Sequence, residues 1–162
     1  MTAWLLCAAL LAQGEPASVV GMVRLTKAVG APLVSVVGED DSAVLEGDLT
    51  AEIARLQSAR VEVAGLRDGE KIVVKSYQIV DIKGAKPRVG RLVKTAGGFA
   101  LRETVGEDSS DIPLSLDPRS KQKLHDKDGA KVWVHGKLLL SGELKVLRYG
   151  VLRDPVVTQD SP

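Results

Sequence analysis

Cysteine, histidine and aromatic residues are scarce in this chain of 162 residues, which has 1 Cys, 2 His and 3 % aromatic residues. Cys7 lies within an apolar N-terminal run, so removal of that run leaves no disulfide, no thiol nucleophile and no cysteine metal ligand. Two histidines without cysteine are too few for the usual zinc sites. With so few aromatic side chains the core must consist of Val, Leu, Ile and Ala, and β-branched residues favour strands.

Sequence motifs of catalysis are missing as well. The chain has no nucleophile elbow, no Gly-rich phosphate loop and no HExxH pair. The segment "LHDKDG" places His125, Asp126 and Asp128 close together, but Ala130 stands where an EF-hand loop needs its next ligand. We therefore predict a protein that is not an enzyme and that has no catalytic residue, no metal site and no cofactor.

The N-terminal segment resembles an export signal. Its apolar run, 3–12, has the length of a signal h-region and is too short to span a bilayer. Ala12-Gln13-Gly14 resembles a cleavage site, although no Lys or Arg precedes the run, and a buried N-terminal strand or helix is the alternative. We predict that 1–14 is a signal peptide and that the mature chain, with no membrane span, is exported to the periplasm or the extracellular space.

An internal repeat is the strongest signal in the sequence. "RLTKAVGAPLVSVVGED" matches "RLVKTAGGFALRETVGED", "ARVEVAG" matches "AKVWVHG", and "KIVVKSYQIV" matches "ELKVLRYGVL". The matched pairs, by residue range, are 24–40 with 91–108, 59–65 with 130–136, and 71–80 with 143–152. Three matched blocks in the same order predict a duplicated domain. We place the first copy at 19–86 and the second at 87–155, followed by a disordered tail at 156–162.

Each copy shows the same order of elements: three strands, a short helix and a two-stranded hairpin. The predicted strands before the helix lie at 21–29, 33–37 and 44–45 in the first copy and at 89–95, 99–105 and 112–114 in the second. Acidic loops are predicted at 38–42 and 106–111. Asp48 and Asp117 are the expected N-caps of the helices, and Pro118 suits a first helical turn. The apolar positions of the first helix recur on one face, at Leu49, Ile53 and Leu56.

This order of elements is that of the OB-fold, a five-stranded barrel. The chain therefore resembles tandem OB-like domains of exported bacterial proteins, whose function is largely unknown. We predict a mainly β protein of two tandem five-stranded OB-like barrels, each with one short helix between strands 3 and 4. A pair of SH3-like barrels and one larger sandwich are the alternatives. Because OB barrels commonly bind ligands on strands two and three, the resemblance draws attention to Arg102 and Thr104 in the second copy and to Ser35 in the first.

The last strand of each copy changes the parity of its apolar positions. Ile72 and Val74 are even, whereas Tyr77 is odd, and the second copy changes in the same place. An extra residue at that place predicts a β-bulge in both copies, near 75–76 and near 147–148.

The stretch "GAKVWVHGKLL" carries the most unusual side chains of the mature chain. Val132 and Val134 match Val61 and Val63 of the first copy and should point into the barrel. Trp133 and His135 share the opposite face, because they match Glu62 and Ala64 and an unpaired glutamate is rarely buried. We predict that Trp133 and His135, with Arg102 and Thr104, are binding residues, and that Trp133 lies at the interface of the two barrels.

The net charge of +1 gives no general reason to expect an acidic or basic partner. The halves differ, however, since 15–87 has 9 basic and 11 acidic side chains and 88–162 has 13 and 10. The basic excess centres on "RSKQKLHDKDGAK", which contains Arg119, Lys121, Lys123, Lys127 and Lys131 and is either a solvated helix face or a patch for an anionic surface. We predict a non-enzymatic binding or interaction module of the cell envelope, whose partner is a protein or a surface polymer rather than nucleic acid. A nucleic-acid-binding OB-fold protein and a secreted enzyme without a recognisable motif are the alternatives.

Overall fold

The computed structural model describes residues 14–27, 30 and 32–156, which form ten strands and two short helices. The predicted signal peptide, 1–14, lies outside these residues except for Gly14, and so does the predicted tail, 156–162, except for Val156. The protein is mainly β, as the composition predicts.

The first copy of the repeat, called unit 1, contains five strands and one helix. Their bounds are β1 Glu15–Thr26, β2 Leu33–Val37, β3 Ser42–Glu46, α1 Thr50–Ala54, β4 Arg60–Asp68 and β5 Lys71–Asp81. The second copy, called unit 2, repeats this order. Its bounds are β6 Arg88–Thr95, β7 Gly98–Val105, β8 Asp108–Ser115, α2 Pro118–Leu124, β9 Lys131–Leu138 and β10 Leu144–Arg153.

Each unit forms one five-stranded sheet of mixed type. The strand order is β1-β2-β3-β5-β4 in unit 1 and β10-β8-β7-β6-β9 in unit 2. In both sheets the two end strands of this order also pair, β4 with β1 and β9 with β10. Only the β3–β5 and β8–β10 pairs are parallel among the described strands. The two units therefore share one topology, which agrees with the duplication read from the sequence.

Alternating apolar side chains build one core in each sheet. Val132 and Val134 of β9 are buried, and so are their counterparts Val61 and Val63 of β4, as the repeat predicts. The helix face also forms as predicted, because Ile53 is buried in the core of unit 1 with Leu56 and Leu49 packs against it.

The predicted bulges are confirmed in both last strands. In unit 1, Ser76 pairs with Ala64 but Val74 pairs with Gly65, so Lys75 is the extra residue. In unit 2, Leu147 is extra in the same way, between Val146 and Arg148. The bulge lets one strand present inward side chains on both sides of a bend.

Three local predictions need correction. Asp48 does not cap α1: Leu49 is the N-cap, no side chain bonds there, and Thr50 N–H donates to Gly47 O (3.1 Å) in the turn that leads into the helix. The acidic stretch 106–111 is mostly strand, since β8 begins at Asp108, directly after a tight turn. The first strand begins at Glu15 rather than at 21, because 15–22 pair with β4. The cap at Asp117 is confirmed, since its side chain accepts from the N–H groups of Arg119 and Ser120.

Candidate functional site

The outer face of the β9–β10 hairpin lies where the two units meet. Three pairs of facing residues follow one another along it: Lys131 with Arg153, Trp133 with Gly150, and His135 with Arg148. Leu152, the extra residue of a second register shift in β10, between Val151 and Arg153, is buried in the core cluster of unit 1, and Trp133 packs against that same cluster. The prediction that Trp133 lies between the units is therefore confirmed.

A buried carboxylate on α1 ties the first pair of this hairpin to unit 1. Glu52 is only 4 % exposed and is the one charged residue that is buried among those described. Its oxygens accept hydrogen bonds from Lys131 Nζ (2.8 Å), from Tyr77 Oη (2.7 Å) and from the Arg153 guanidinium. Lys131 Nζ also lies 4.9 Å from the centre of the Tyr77 ring. We call Glu52, Tyr77, Lys131 and Arg153 the Glu52 cluster.

The Glu52 cluster keeps its carboxylate ionised. Burial raises the pKa of the Glu52 carboxyl, but hydrogen bonds from Lys131, Tyr77 and Arg153 outweigh burial and hold that pKa below its usual range. Burial, together with the neighbouring carboxylate, raises the pKa of the Tyr77 hydroxyl, which stays protonated. Each group thus holds the proton state that its bonds require, and the cluster acts as a link between the units.

A second ion bridge lies beside this cluster. Asp154, directly after β10, accepts from Arg55 of unit 1 (2.9 Å) and from Lys127 of unit 2 (2.6 Å). The Arg55 guanidinium also reaches the carbonyl oxygen of Val151 (3.5 Å). These exposed contacts are individually weak, but they add to the same junction.

Gly150 makes room for the Trp133 indole. A Cβ at position 150 would collide with the Nε1, Cε2 and Cζ2 atoms of Trp133, so only glycine lets the ring lie across β10. In unit 1 the equivalent pair is Glu62 with Gln78, and neither side chain is aromatic. The flat indole is therefore specific to unit 2, and it forms one wall of a groove.

The groove lies between α2, the bulged part of β10 and unit 1, and has a volume of about 780 Å³. We call it the junction groove. Trp133 and Tyr149 are its aromatic wall residues, and Gln57 and Ile82 of unit 1 form part of the opposite side. Its cationic wall residues are Lys83 of unit 1, Arg119 and Lys123 of α2, and Arg148 of β10.

The positive charge of the junction groove is uncompensated. Among residues 14–27, 30 and 32–156, none of its four cations makes an ion pair. The groove contains one carboxylate, Asp117, which already accepts from Ser120 Oγ (2.6 Å) and from two backbone N–H groups at the start of α2.

A larger cleft, of about 930 Å³, lies next to the Glu52 cluster, but its charges balance. Its acidic side chains are Asp48, Glu52 and Asp154, and its basic ones are Arg55, Lys75 and Arg153. Several of these charges already bind one another. An excess of positive side chains therefore distinguishes the junction groove from this larger cleft.

The predicted binding residues do not all come together. Trp133 lines the junction groove, and His135 lies two register pairs further along, opposite the groove residue Arg148. Arg102 is bound to Asp111 by two hydrogen bonds of 2.7 Å each, and Thr104 lies opposite Ser109; both are on β7, outside the groove. Ser35 lines a separate cleft of about 200 Å³ on β2 and β3.

Sequence reasoning named Arg119 and Lys123 only as members of a basic helix, and it missed Lys83, Arg148 and Tyr149. The predicted bulge in β10 could have identified one of these residues, Arg148. Once Leu147 is counted as an extra residue, Arg148 moves to the face of Trp133 and His135. Lys83 could not be assigned in this way, because it comes from the other unit.

Neither models of known protein families, nor curated protein sequences, nor solved structures match this chain. In the part of the chain that the structure describes, no helix is long and apolar enough to cross a membrane. No group of three or more potential metal-binding side chains was found there either. The junction groove is thus the feature from which we argue a function.

Proposed function

We propose that this chain is an exported, non-enzymatic binding module of the cell envelope, made of two tandem OB-like barrels, and that it binds an anionic polymer in the junction groove. The observation that carries the proposal is the set of four cations around one groove, none of which makes an ion pair with a carboxylate among the described residues. The export step rests on the N-terminal segment, and the OB-like architecture rests on strand order.

The strand order supports the OB-like assignment. An OB-fold is a five-stranded Greek-key barrel, and both units have five strands whose pairing order returns to its start. The helix lies between the third and fourth strands in each unit. The parallel β3–β5 and β8–β10 pairs, and the bulge in each last strand, suit a sheet that curves back on itself.

The charge of the groove supports an anionic ligand. Four cations that line one groove raise the local potential, and a concave wall focuses it. The guanidinium groups of Arg119 and Arg148 can each bind a carboxylate or phosphate with two parallel hydrogen bonds. Lys83 and Lys123 add point charges on the same groove. The four cations repel one another, and a bound anion offsets this repulsion. A ligand with repeated negative charge should therefore bind more tightly than a single anion.

The aromatic wall supports a ligand that also has flat or ring-shaped faces. Trp133 and Tyr149 are both half-buried and both line the groove. Aromatic faces pack against rings without demanding one hydrogen-bond pattern. An anionic glycan or a polyol phosphate of the envelope presents both features where an exported protein would meet it.

Titration of the full chain with anionic polymers tests this proposal. The background is Trp4→Phe, so that fluorescence reports Trp133 alone, and the probes are a polyuronate, a poly(glycerol phosphate) and a neutral dextran. We expect the two anionic polymers to change Trp133 emission and dextran to leave it unchanged. Arg119→Gln/Lys123→Gln/Arg148→Gln should weaken binding about 30-fold, the equivalent of about 2 kcal/mol.

The matched control removes three exposed cations elsewhere, with Arg24→Gln/Arg60→Gln/Lys86→Gln. It changes the net charge equally, so it should weaken binding less than about threefold through the general field. Equal losses in the two triple variants would refute the groove as the site. Tighter binding to single-stranded DNA than to either envelope polymer would replace the proposal by the nucleic-acid alternative.

A further inference from the structure

The turn between β9 and β10 has an apolar tip. Leu140 is fully exposed and Leu138 is 57 % exposed, and both belong to the run Leu138-Leu139-Leu140 that enters the turn. The backbone of this turn does not require leucine, since the residue with the positive φ that the turn needs is Gly142.

The equivalent turn in unit 1 shows that the hairpin does not need these leucines. Between β4 and β5 the chain reads Asp68-Gly69-Glu70, and Gly69 has the positive φ. Arg67, at the base of that turn, binds Asp41 (2.8 Å), and Lys71 on its other side binds Glu46 (2.7 Å). The same hairpin is thus polar and ion-paired in one copy and apolar in the other.

Two lysines flank the apolar tip. Lys137 and Lys145 are register partners on the strands that lead into the turn, and both are exposed. The turn has one acidic side chain, Glu143, whose carboxylate lies 3.5 Å from Ser141 Oγ. Leu147, the bulge residue of the same hairpin, is 63 % exposed and lines the junction groove. Leu138 pairs with the buried Leu144 and so lies on the face opposite to Lys137 and Lys145, and the leucines at the end of the hairpin thus have the two lysines beside them.

We propose that this turn is a membrane-surface contact, in which Leu138 and Leu140 enter the headgroup–acyl boundary of an anionic bilayer and Lys137 and Lys145 bind lipid phosphates. An apolar tip rimmed by basic side chains is the pattern by which a protein lies on a membrane without crossing it. Leu140 projects fully into solvent at the end of the hairpin, so a protein partner would need a preformed pocket to cover both leucines, whereas a bilayer needs none. The contact is independent of the junction groove and would place the groove mouth close to the membrane.

The first test is binding of the full chain to vesicles of phosphatidylglycerol and phosphatidylcholine. Leu138→Ser/Leu140→Ser should lower the partition coefficient between vesicles and water at least tenfold. The control Leu33→Ser/Val105→Ser changes two exposed apolar residues elsewhere and should change the partition coefficient less than twofold. Circular dichroism checks that both variants stay folded. Equal binding by the two variants would overturn the proposal, and equal binding to pure phosphatidylcholine would overturn the role of the lysines.

A local probe separates the turn from any binding by the N-terminal segment. Leu140→Cys in a Cys7→Ser background carries an environment-sensitive dye, and Val105→Cys, also strongly exposed, is its control. We expect a blue shift and quenching by brominated lipids at 140 and neither at 105. No shift at 140 in the presence of bound vesicles, or a concentration-dependent shift without vesicles, would contradict a membrane contact, and the latter would indicate a second copy of the chain.

Discussion

Replacing Glu52 by glutamine tests whether the two units form one cooperative body. Glu52→Gln keeps the size of the side chain but removes the charge that binds Lys131 and Arg153. Because these two cations belong to unit 2 and Glu52 belongs to unit 1, the change acts on the junction and leaves the core of each sheet intact. We therefore expect the units to separate more easily, with little change within either.

The expected loss of unfolding free energy depends on how well the two cations are hydrated once the carboxylate is removed. The side chains of Lys131 and Arg153 are 36 % and 56 % exposed, so both regain solvent when the carboxylate is lost. Solvent screening limits the contribution of each cation to at most about 1 kcal/mol, whereas Tyr77 Oη–H can still donate to the amide oxygen of glutamine, so that bond is kept. The free energy of unfolding should fall by about 2 kcal/mol, which for a chain of this size lowers Tm by roughly 4–8 °C.

Urea unfolding followed by two probes measures this effect. In a Trp4→Phe background the fluorescence of Trp133 reports the junction, and far-ultraviolet circular dichroism reports both sheets. We expect the two transitions to coincide in the parent and the fluorescence transition to come first in Glu52→Gln. The control is Glu46→Gln, which removes an exposed carboxylate from its pair with Lys71 and should cost less than about 0.5 kcal/mol.

The pH dependence gives the result that would refute this reasoning. The pKa of Glu52 is lower in the folded protein than its ordinary value of 4.5, so its stabilisation is complete above that value and is lost as pH falls through the folded-state pKa. The difference between the parent and Glu52→Gln should therefore shrink below about pH 4.5. A difference that is constant from pH 3 to pH 7, or no larger than that of Glu46→Gln, would show that the cluster does not hold the units together.

Three further changes have defined outcomes. Gly150→Ala should push the indole of Trp133 off β10, lower the free energy of unfolding by about 1–3 kcal/mol and shift its emission to longer wavelength; unchanged emission would contradict the packing described. Asp117→Ala removes the cap of α2 and should cost about 0.5–2 kcal/mol in thermal unfolding, against no measurable cost for Asp48→Ala, which caps nothing. Deleting Leu147 removes the bulge and turns the following side chains, Leu152 among them, to the opposite face, so the amide NMR signals of unit 2 should lose their dispersion and those of the unit 1 core around Leu152 should shift.

Much of the fold was predictable because the two copies of the repeat can be compared with each other. Positions with the same kind of residue in both copies, such as Val61 and Val132, belong to the common framework, and positions whose residues differ are specific to one copy. The parity change in the last strands located both bulges, since the side-chain period of a strand is 2 and one extra residue reverses it. The ends of strands were less predictable, because β1 and β8 extend only as far as their partner strands offer hydrogen bonds.

The site was predictable only where it depends on one hairpin. Trp133 was assigned to the outer face from strand alternation and from its match to Glu62 of the first copy, and the structure places it there. The Glu52 cluster gave no sequence signal, because its members are separated by 79 and 101 residues along the chain and α1 is only five residues long. Arg102 was chosen for its position on a strand, but its neighbour Asp111 already binds it.

The place beside the helix carries opposite charge in the two copies of the repeat. Tyr77 pairs with Val63 and Tyr149 with Val134, so the two tyrosines occupy the same position next to the helix of their unit. In unit 1 that place is occupied by Glu52, which accepts hydrogen bonds from Tyr77 of the same unit and from Lys131 of unit 2. In unit 2 the helix presents cations, Arg119 and Lys123, instead of a carboxylate. The anionic ligand that we propose for the junction groove would therefore supply, beside Tyr149, the negative charge that Glu52 supplies beside Tyr77.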